Sequence, residues 1–485
     1  MATHLIIPTV LTFCLLWSCR FSAHAQVTTA RSAADPIAVT WADMTVRVMT
    51  KAPKNTPTYG SRAIGYLGLT MYETVLYASA HHQSVFKKIS GTYALPKPDR
   101  HKAYCWELAL NAGQAYMLKA LYSYTQKEQL IDSLETVLRQ RYTSRLSPDV
   151  VERSEQFGRA VASIIYDWSK TDGGHQGYDR NFPPDFVWPN GEGLWTPPLV
   201  GQSKSKLPLH PTWGQNRTFS VRNGKLPLPK PLAYSTNPTS QYYNQCKEVL
   251  ERKKTLTSAD QATVMWWGDD PTETCSPPGH SYNLATIAIR TSQATLVKAA
   301  ETYARVGMAV ADAFVCCWKV KFTFMVQRPS TFIQDNFNPT RSWGPWLPFF
   351  LEPPFPSFYS GHAVQSAATA TVLTELYGDA FFFTDNTHLN RLEDVYTYPS
   401  TALAKPGHPD PQMVAYVLTN KGKGRHYQSF WEAAQECAES RLMGGIHTRY
   451  ENEVGLAEGA KIGRNINSLR WHLINVVRPF RKRPV

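Results

Sequence analysis

The feature that most restricts this chain is the spacing of its apolar residues, which return every three or four positions and seldom alternate. Ser147, Pro148 and Asp149 supply an N-cap, a proline for the first helical position and an acid for the first turn. Val150, Phe157, Val161, Ile164 and Trp168 then fall on one stripe, the 3.6-residue period of a half-buried helix. Similar stripes run through 61–79, 104–124, 127–141 and 294–321. Period-2 runs are scarce and no βαβ alternation occurs, so the predicted class is all-α: a large helical-bundle protein with little or no strand. Of 485 residues, 43% are apolar, 12% aromatic and only 18% charged, which is material for a large buried core and excludes a disordered chain.

Pro, Gly and Trp cluster in 183–240 and 329–360, which predicts long connections rather than helices there. No solenoid-length repeat and no Gly/Ser linker divides the chain. Residues 26–485 therefore read as one helical unit: a scaffold half (26–290), a bundle carrying the functional segments (291–475) and a basic tail (476–485) with Arg478, Arg481, Lys482 and Arg483. Ahead of it, the short apolar run from Leu5 to Trp17 and the small-x-small sequence Ala23-His24-Ala25 predict a signal peptide over 1–25 and an exported, periplasmic or secreted protein. The alternative is a lipid anchor on Cys19. No later run is long enough to span a membrane. Six cysteines follow the leader, some of which could pair after export, and adjacent Cys316 and Cys317 read as small apolar fillers. A net charge of +13 suits an anionic partner, but no zinc-finger spacing or RNA-binding aromatic pattern accompanies it, so nucleic acid is not expected.

Three segments carry the residues that suit an anion. The 294–321 stripe places Lys321 on the inward face, where an ammonium needs a negative partner. Arg328-Pro329 follows, the proline ending any helix there and fixing the arginine in a turn. The second segment, Pro353-Pro354-Phe355-Pro356-Ser357-Phe358-Tyr359-Ser360-Gly361-His362, is a rigid loop feeding an alanine-rich helix that ends at Gly378. Ser360 is its N-cap, the free N–H groups of its first turn attract an oxyanion, and His362 stands where it can move a proton. The third, Ser440-Arg441-Leu442-Met443-Gly444-Gly445-Ile446-His447, closes a helix starting near Ser429. It offers a planar guanidinium and a second histidine, and Gly455, Gly459 and Gly463 after it predict a close helix contact.

Lys321-x6-Arg328-Pro329, Ser360-Gly361-His362 and Ser440-Arg441-x3-Gly445-Ile446-His447 together resemble the three-part signature of the vanadium haloperoxidases and the related type 2 phosphatidic acid phosphatases. The resemblance implies that Lys321, Arg328, Ser360, Gly361 and Arg441 hold vanadate oxygens, that His447 is the metal ligand, and that His362 is the acid–base group. Lys321 also counts among the catalytic set with the two histidines. It implies hydrogen peroxide as co-substrate, a halide as reductant, bromide before chloride or iodide, an organic acceptor as an option, and hypohalous acid as product. Trp267-Gly268-Asp269-Asp270 and Pro277-Pro278-Gly279-His280 extend the likeness upstream, with Asp269 or Asp270 as candidates to orient Arg441. Two positions depart from the pattern: Tyr359 replaces a proline, and Glu451 replaces an aspartate four residues after the axial histidine. A phosphatase with His447 as nucleophile, and a non-catalytic oxyanion binder, are the alternative readings.

Overall fold

The computed structural model describes residues 36–389 apart from 199–200, 203–204, 272–273 and 343, then 395–396, 416–417 and 424–473. The predicted signal peptide and basic tail lie outside the described residues. The helices are α1 (Ile37–Thr50), α2 (Pro57–Val75), α3 (Phe86–Ile89), α4 (Trp106–Leu121), α5 (Glu128–Thr143), α6 (Pro148–Ser169), α7 (Val221–Gly224), α8 (Gln241–Lys254), α9 (Ser258–Trp266), α10 (Ser276–Thr291), α11 (Leu296–Phe324), α12 (Pro329–Phe337), α13 (Gly361–Tyr377), α14 (Phe430–Met443) and α15 (Arg449–Asn467). Among the described residues strand is confined to two antiparallel ladders, β1 (Phe383–Asp385) with β4 (Arg425–Tyr427) and β2 (Val395–Tyr396) with β3 (Tyr416–Val417). This is the mostly helical fold the periodicity predicts.

The longest helix organises the rest. Thr295 caps α11 by accepting from the Lys298 N–H, the helix is buried along nearly its whole length, and Met325 ends it in the left-handed conformation at φ 49°. It packs along α2 on one side and α13 on the other, and α13 in turn packs against α14 and α15. Missing side chains let the backbones meet: a Cβ on Gly68 would lie 2.4 Å from the Tyr303 carbonyl oxygen, and one on Gly307 would lie 2.3 Å from that of Ile64.

Three local expectations are corrected. The buried face of α6 is Val151, Phe157, Val161, Ile165 and Trp168, so Val150 and Ile164 flank the core instead of entering it. Ser147 holds the N-cap position, but its hydroxyl donates to the Asp149 carboxylate rather than accepting a backbone N–H. The 329–360 segment is not all loop, because Pro329 starts α12 with Arg328 as its N-cap, and short α7 interrupts 183–240. A proline whose missing N–H would go unused anyway opens a helix as readily as it ends one. None of Cys105, Cys246, Cys275, Cys316, Cys317 and Cys437 is in a disulfide, and of the adjacent pair Cys317 is buried and Cys316 half-buried. Among the described residues no helix is long and apolar enough to cross a membrane.

Candidate functional site

The end of α11, the loop before α13 and the α14–α15 turn meet at one point. Lys321, fully buried in the last turn of α11, donates to the carbonyls of Pro356 (2.8 Å) and Ser357 (2.6 Å). Burial lowers its ammonium, Arg328 adds to that, and Cys317 and Glu451 oppose it. Arg328 donates through Nε and Nη2 to the Phe355 carbonyl (3.2 and 2.9 Å) and through Nη1 to that of Ile446 (2.9 Å). Both cations lie over the Phe355 ring, at 5.3 and 5.2 Å from its centre. Arg441, also fully buried, donates from Nε to the Ser440 hydroxyl and from Nη2 to the Val264 carbonyl, while its Nη1 has no partner. Three buried cations therefore gather with carbonyls and a hydroxyl as hydrogen-bond partners, Glu352 and Glu451 favouring the Arg328 charge and Asp270 and Asp269 that of Arg441, and an unpaired guanidinium N–H inside a protein is costly.

His447 supplies the complementary atom. Its Nδ1 lies 2.9 Å from a Glu451 carboxylate oxygen, which also accepts from the Thr448 N–H (3.0 Å) and the Ser357 hydroxyl (2.8 Å). Burial, and then the positive charges of Arg328, Lys321 and Arg441, hold the imidazole well below the usual histidine range, so the ring is neutral. A neutral ring that gives its Nδ1 proton to a carboxylate keeps a lone pair on Nε2. That lone pair accepts from Arg328 Nη1 at 3.3 Å. Glu451 keeps its place because Thr448 and Glu451 form a capping box at the start of α15.

At the start of α13, the Ser360 hydroxyl accepts the Ala363 N–H (3.3 Å), as the cap reading predicts. A Cβ on Gly361 would find only Trp318, at 4.0 Å, so the helix start is open on that side. The Gly268 carbonyl binds the His362 ring, and Nε2 has no partner. Burial and then Arg441 keep this histidine neutral as well. Behind Gly268, Asp269 accepts from His280 Nδ1 (2.7 Å), and His280 Nε2 reaches Asp385 (2.8 Å). His388 Nε2 sits 3.1 Å from the other Asp269 oxygen. Burial alone would lower the His280 imidazolium, but the two carboxylates raise it to about 10, and the ring stacks on Trp267.

A cleft of about 950 Å³ is lined by His362, His447, Gly361, Asp269, Trp318 and Phe355, with Lys51 and Lys54 also on its wall. Lys321, Arg328 and Arg441 lie behind that lining, close enough to His447 for their charge to act on it, and Ser360 caps the helix that brings Gly361 and His362 to the cleft. Asp270 and Asp269 act on Arg441 through their charge, which favours its guanidinium, while Asp269 accepts from His280 and Asp270 from Gln202. The hydrogen bonds of Arg441 go to the Val264 carbonyl and the Ser440 hydroxyl. Sequence reading missed Glu451 as the partner of His447, although its position four residues on, at the third place of a capping box, was a usable sign. It named His280 only within the upstream likeness, without its pairing to Asp269 and Asp385, and it missed Asp385 and His388, which converge from distant segments.

A family model described as the second helical-bundle domain of vanadium chloroperoxidase matches residues 301–475. The chain is 25% identical over 225 residues to vanadium chloroperoxidase from Curvularia inaequalis, a match that covers 39% of this chain and 36% of that protein, about a third of its length. Among solved structures, a bacterial vanadium-dependent iodoperoxidase superposes with a TM-score of 0.74 at 27% identity, over 90% of this chain and 97% of that one. A holo-type bacterial vanadium-dependent chloroperoxidase shares the fold at TM-score 0.62 and 14% identity, over 92% and 96%. The chain is accordingly a relative of the vanadium-dependent haloperoxidases, sharing their helical fold and, over residues 301–475, their second helical-bundle domain.

Proposed function

We propose that this chain is a vanadate-dependent haloperoxidase that oxidises halide with hydrogen peroxide to hypohalous acid, with bromide as the foremost substrate and iodide and chloride as the others. The observation that carries the reading is the neutral His447, which lines the cleft with Lys321, Arg328 and Arg441 buried close behind it. The donor set fits vanadate: a neutral imidazole nitrogen for the metal, three cations for a multiply charged oxyanion, and unpartnered polar atoms on Arg441 and His362. When bound, vanadate supplies Lewis-acid activation of the peroxide for two-electron oxidation of halide.

The chain's own residues do the rest. Lys321, Arg328 and Arg441, with Ser360 and the free N–H groups at Gly361, hold the oxyanion and offset its charge. Glu451 fixes the His447 tautomer and thereby which nitrogen is the ligand. His362, anchored from the Gly268 carbonyl, leaves Nε2 to accept a proton from incoming peroxide and to return it later. Trp318 and Phe355, their ring centres 4.8 Å apart, give one wall an apolar face that suits weakly hydrated, polarisable halides.

The test is peroxide-driven bromination and iodination of a dye by purified protein, with and without orthovanadate, together with phosphate-ester hydrolysis by the vanadate-free protein. Halide oxidation that requires vanadate and disappears in His447→Ala is expected. Ester hydrolysis that vanadate inhibits, without halide oxidation, would transfer the chain to the phosphatase reading, and vanadate binding without either turnover would leave an oxyanion binder.

A further inference from the structure

Far from this cleft, three metal-ligating side chains meet where the end of the described chain returns to the α2 side of the molecule. His82 follows α2, Glu301 lies in the first turns of α11, and His472 follows α15. His82 Nε2 and His472 Nε2 both face the same oxygen of Glu301, at 3.3 and 3.4 Å, and the three donor atoms all lie within 4.8 Å of one another. The first of these is a long hydrogen bond, and both separations match the edge of a zinc tetrahedron, since bonds of about 2.05 Å put neighbouring ligand atoms about 3.3 Å apart.

The surroundings hold this arrangement in place. His82 Nδ1 lies 2.7 Å from the Ser79 hydroxyl, which turns Nε2 towards Glu301, the kind of supporting hydrogen bond metal-bound histidines use. The two histidines are paired across a short antiparallel bridge, with the Gln83 N–H donating to the Trp471 carbonyl and the Leu473 N–H to that of His81. Glu301 is fully buried and its second oxygen pairs with Arg305, which also reaches Glu375 at 3.1 Å, so one oxygen stays available on the histidine side. Lys298 and Arg305 add positive charge nearby, and the carboxylates of Glu301 and Glu375 balance them. His472 is half exposed, which gives an ion a path in and leaves room for water as a fourth ligand. The other cluster of this kind, Asp269, His280 and His388, is already tied by short hydrogen bonds and backs the cleft.

We infer that His82, Glu301 and His472 form a binding site for a zinc-type divalent cation that clasps the segment after α15 to α2 and α11. An ion held there binds only the folded chain, because the three ligands come from segments far apart in sequence, and so it raises the unfolding temperature by mass action. The site is separate from the proposed oxyanion centre and does not depend on that reading.

The experiment uses chelator-treated, vanadate-loaded full chain titrated with Zn²⁺ by calorimetry and thermal unfolding, with Co²⁺ as a visible-absorption probe of tetrahedral geometry. The expected result is a Zn²⁺ equivalent whose affinity falls at least tenfold in His472→Ala and in His82→Ala, a Zn²⁺-dependent rise in melting temperature in the parent chain only, and tetrahedral Co²⁺ bands lost in both variants. Halide oxidation without added Zn²⁺ should be the same in His472→Ala as in the parent. Should His82→Ala fail to fold, the half-exposed His472→Ala decides alone. Zn²⁺ affinity unchanged in His472→Ala, or no binding by the parent, would overturn the assignment.

Discussion

At the scale of single residues, the chemistry depends on which nitrogen of His447 carries its proton, and Glu451 decides that. Its carboxylate accepts from His447, Thr448 and Ser357 at once. In Glu451→Gln one of those acceptor positions becomes an NH₂ donor and the negative charge beside Lys321 and Arg328 is lost. Vanadate affinity should fall by about 10- to 100-fold, and Glu451→Asp should recover part of it, as read by equilibrium titration with orthovanadate. His280 permits a second prediction. It is held protonated between Asp269 and Asp385, so its contribution to stability is complete below the unfolded histidine value near 6.5 and is lost as pH rises through about 10. His280→Asn leaves two buried carboxylates facing each other and should cost about 3–5 kcal/mol in denaturant unfolding at pH 6. The gap between the two proteins should narrow towards pH 10; a constant gap would mean that shape rather than charge accounts for the loss. Lys321, Arg328, Ser360, Gly361, His362, Arg441 and His447 were all legible in sequence, because each segment keeps its own local spacing. The pairing of His280 with Asp385 was not, since 105 positions separate them and no local pattern joins them.

At the scale of elements, the cleft is held by the contact of α13 with α15, one helix beginning at Ser360 and the other just after His447. A Cβ on Gly459 would lie 2.2 Å from the Val364 carbonyl oxygen and one on Gly455 would lie 2.9 Å from that of Ser360, the close approach that the run of glycines predicted. Gly459→Ala should therefore push the helices apart and cost about 1–3 kcal/mol by thermal or denaturant unfolding, with weaker vanadate binding as a consequence. Gly361→Ala makes the opposite case: space is free around that Cβ, so stability should hold while the methyl group obstructs an anion approaching the first turn of α13. Affinity for vanadate should drop with the melting temperature unchanged. Helix existence was legible from periodicity and from the cap Ser360, whose side chain accepts a backbone N–H as expected; Ser429, near which a helix start was read, and Thr295, which was not read as a cap, do the same in the structure. Pro329 was read as a stop and is a start, because proline satisfies the same rules at either end of a helix and only the packing of α12 against α8 selects one.

For the whole molecule, charge acts over distances that no contact covers. The chain carries a formal +13, and Lys51 and Lys54 line the cleft that holds the candidate site, Lys54 paired with Asp179 at 2.8 Å and Lys51 exposed. A positive cleft concentrates anions near its mouth, an effect that fades once the screening length falls below the spacing of the charges, about 10 Å at 0.1 M salt and about 3 Å at 1 M. Lys51→Glu reverses the unpaired charge on that wall and touches none of the groups proposed to hold vanadate or move protons. If long-range attraction assists halide entry, kcat/KM for bromide should fall a few-fold in this variant at low ionic strength while kcat stays the same, and the two proteins should converge as a weakly binding salt is added. A difference that persists at high salt would place Lys51 in direct contact with the substrate. No difference at any salt concentration would mean that the buried cations Lys321, Arg328 and Arg441 alone set the affinity for anions, and that the surplus positive charge serves something other than catalysis.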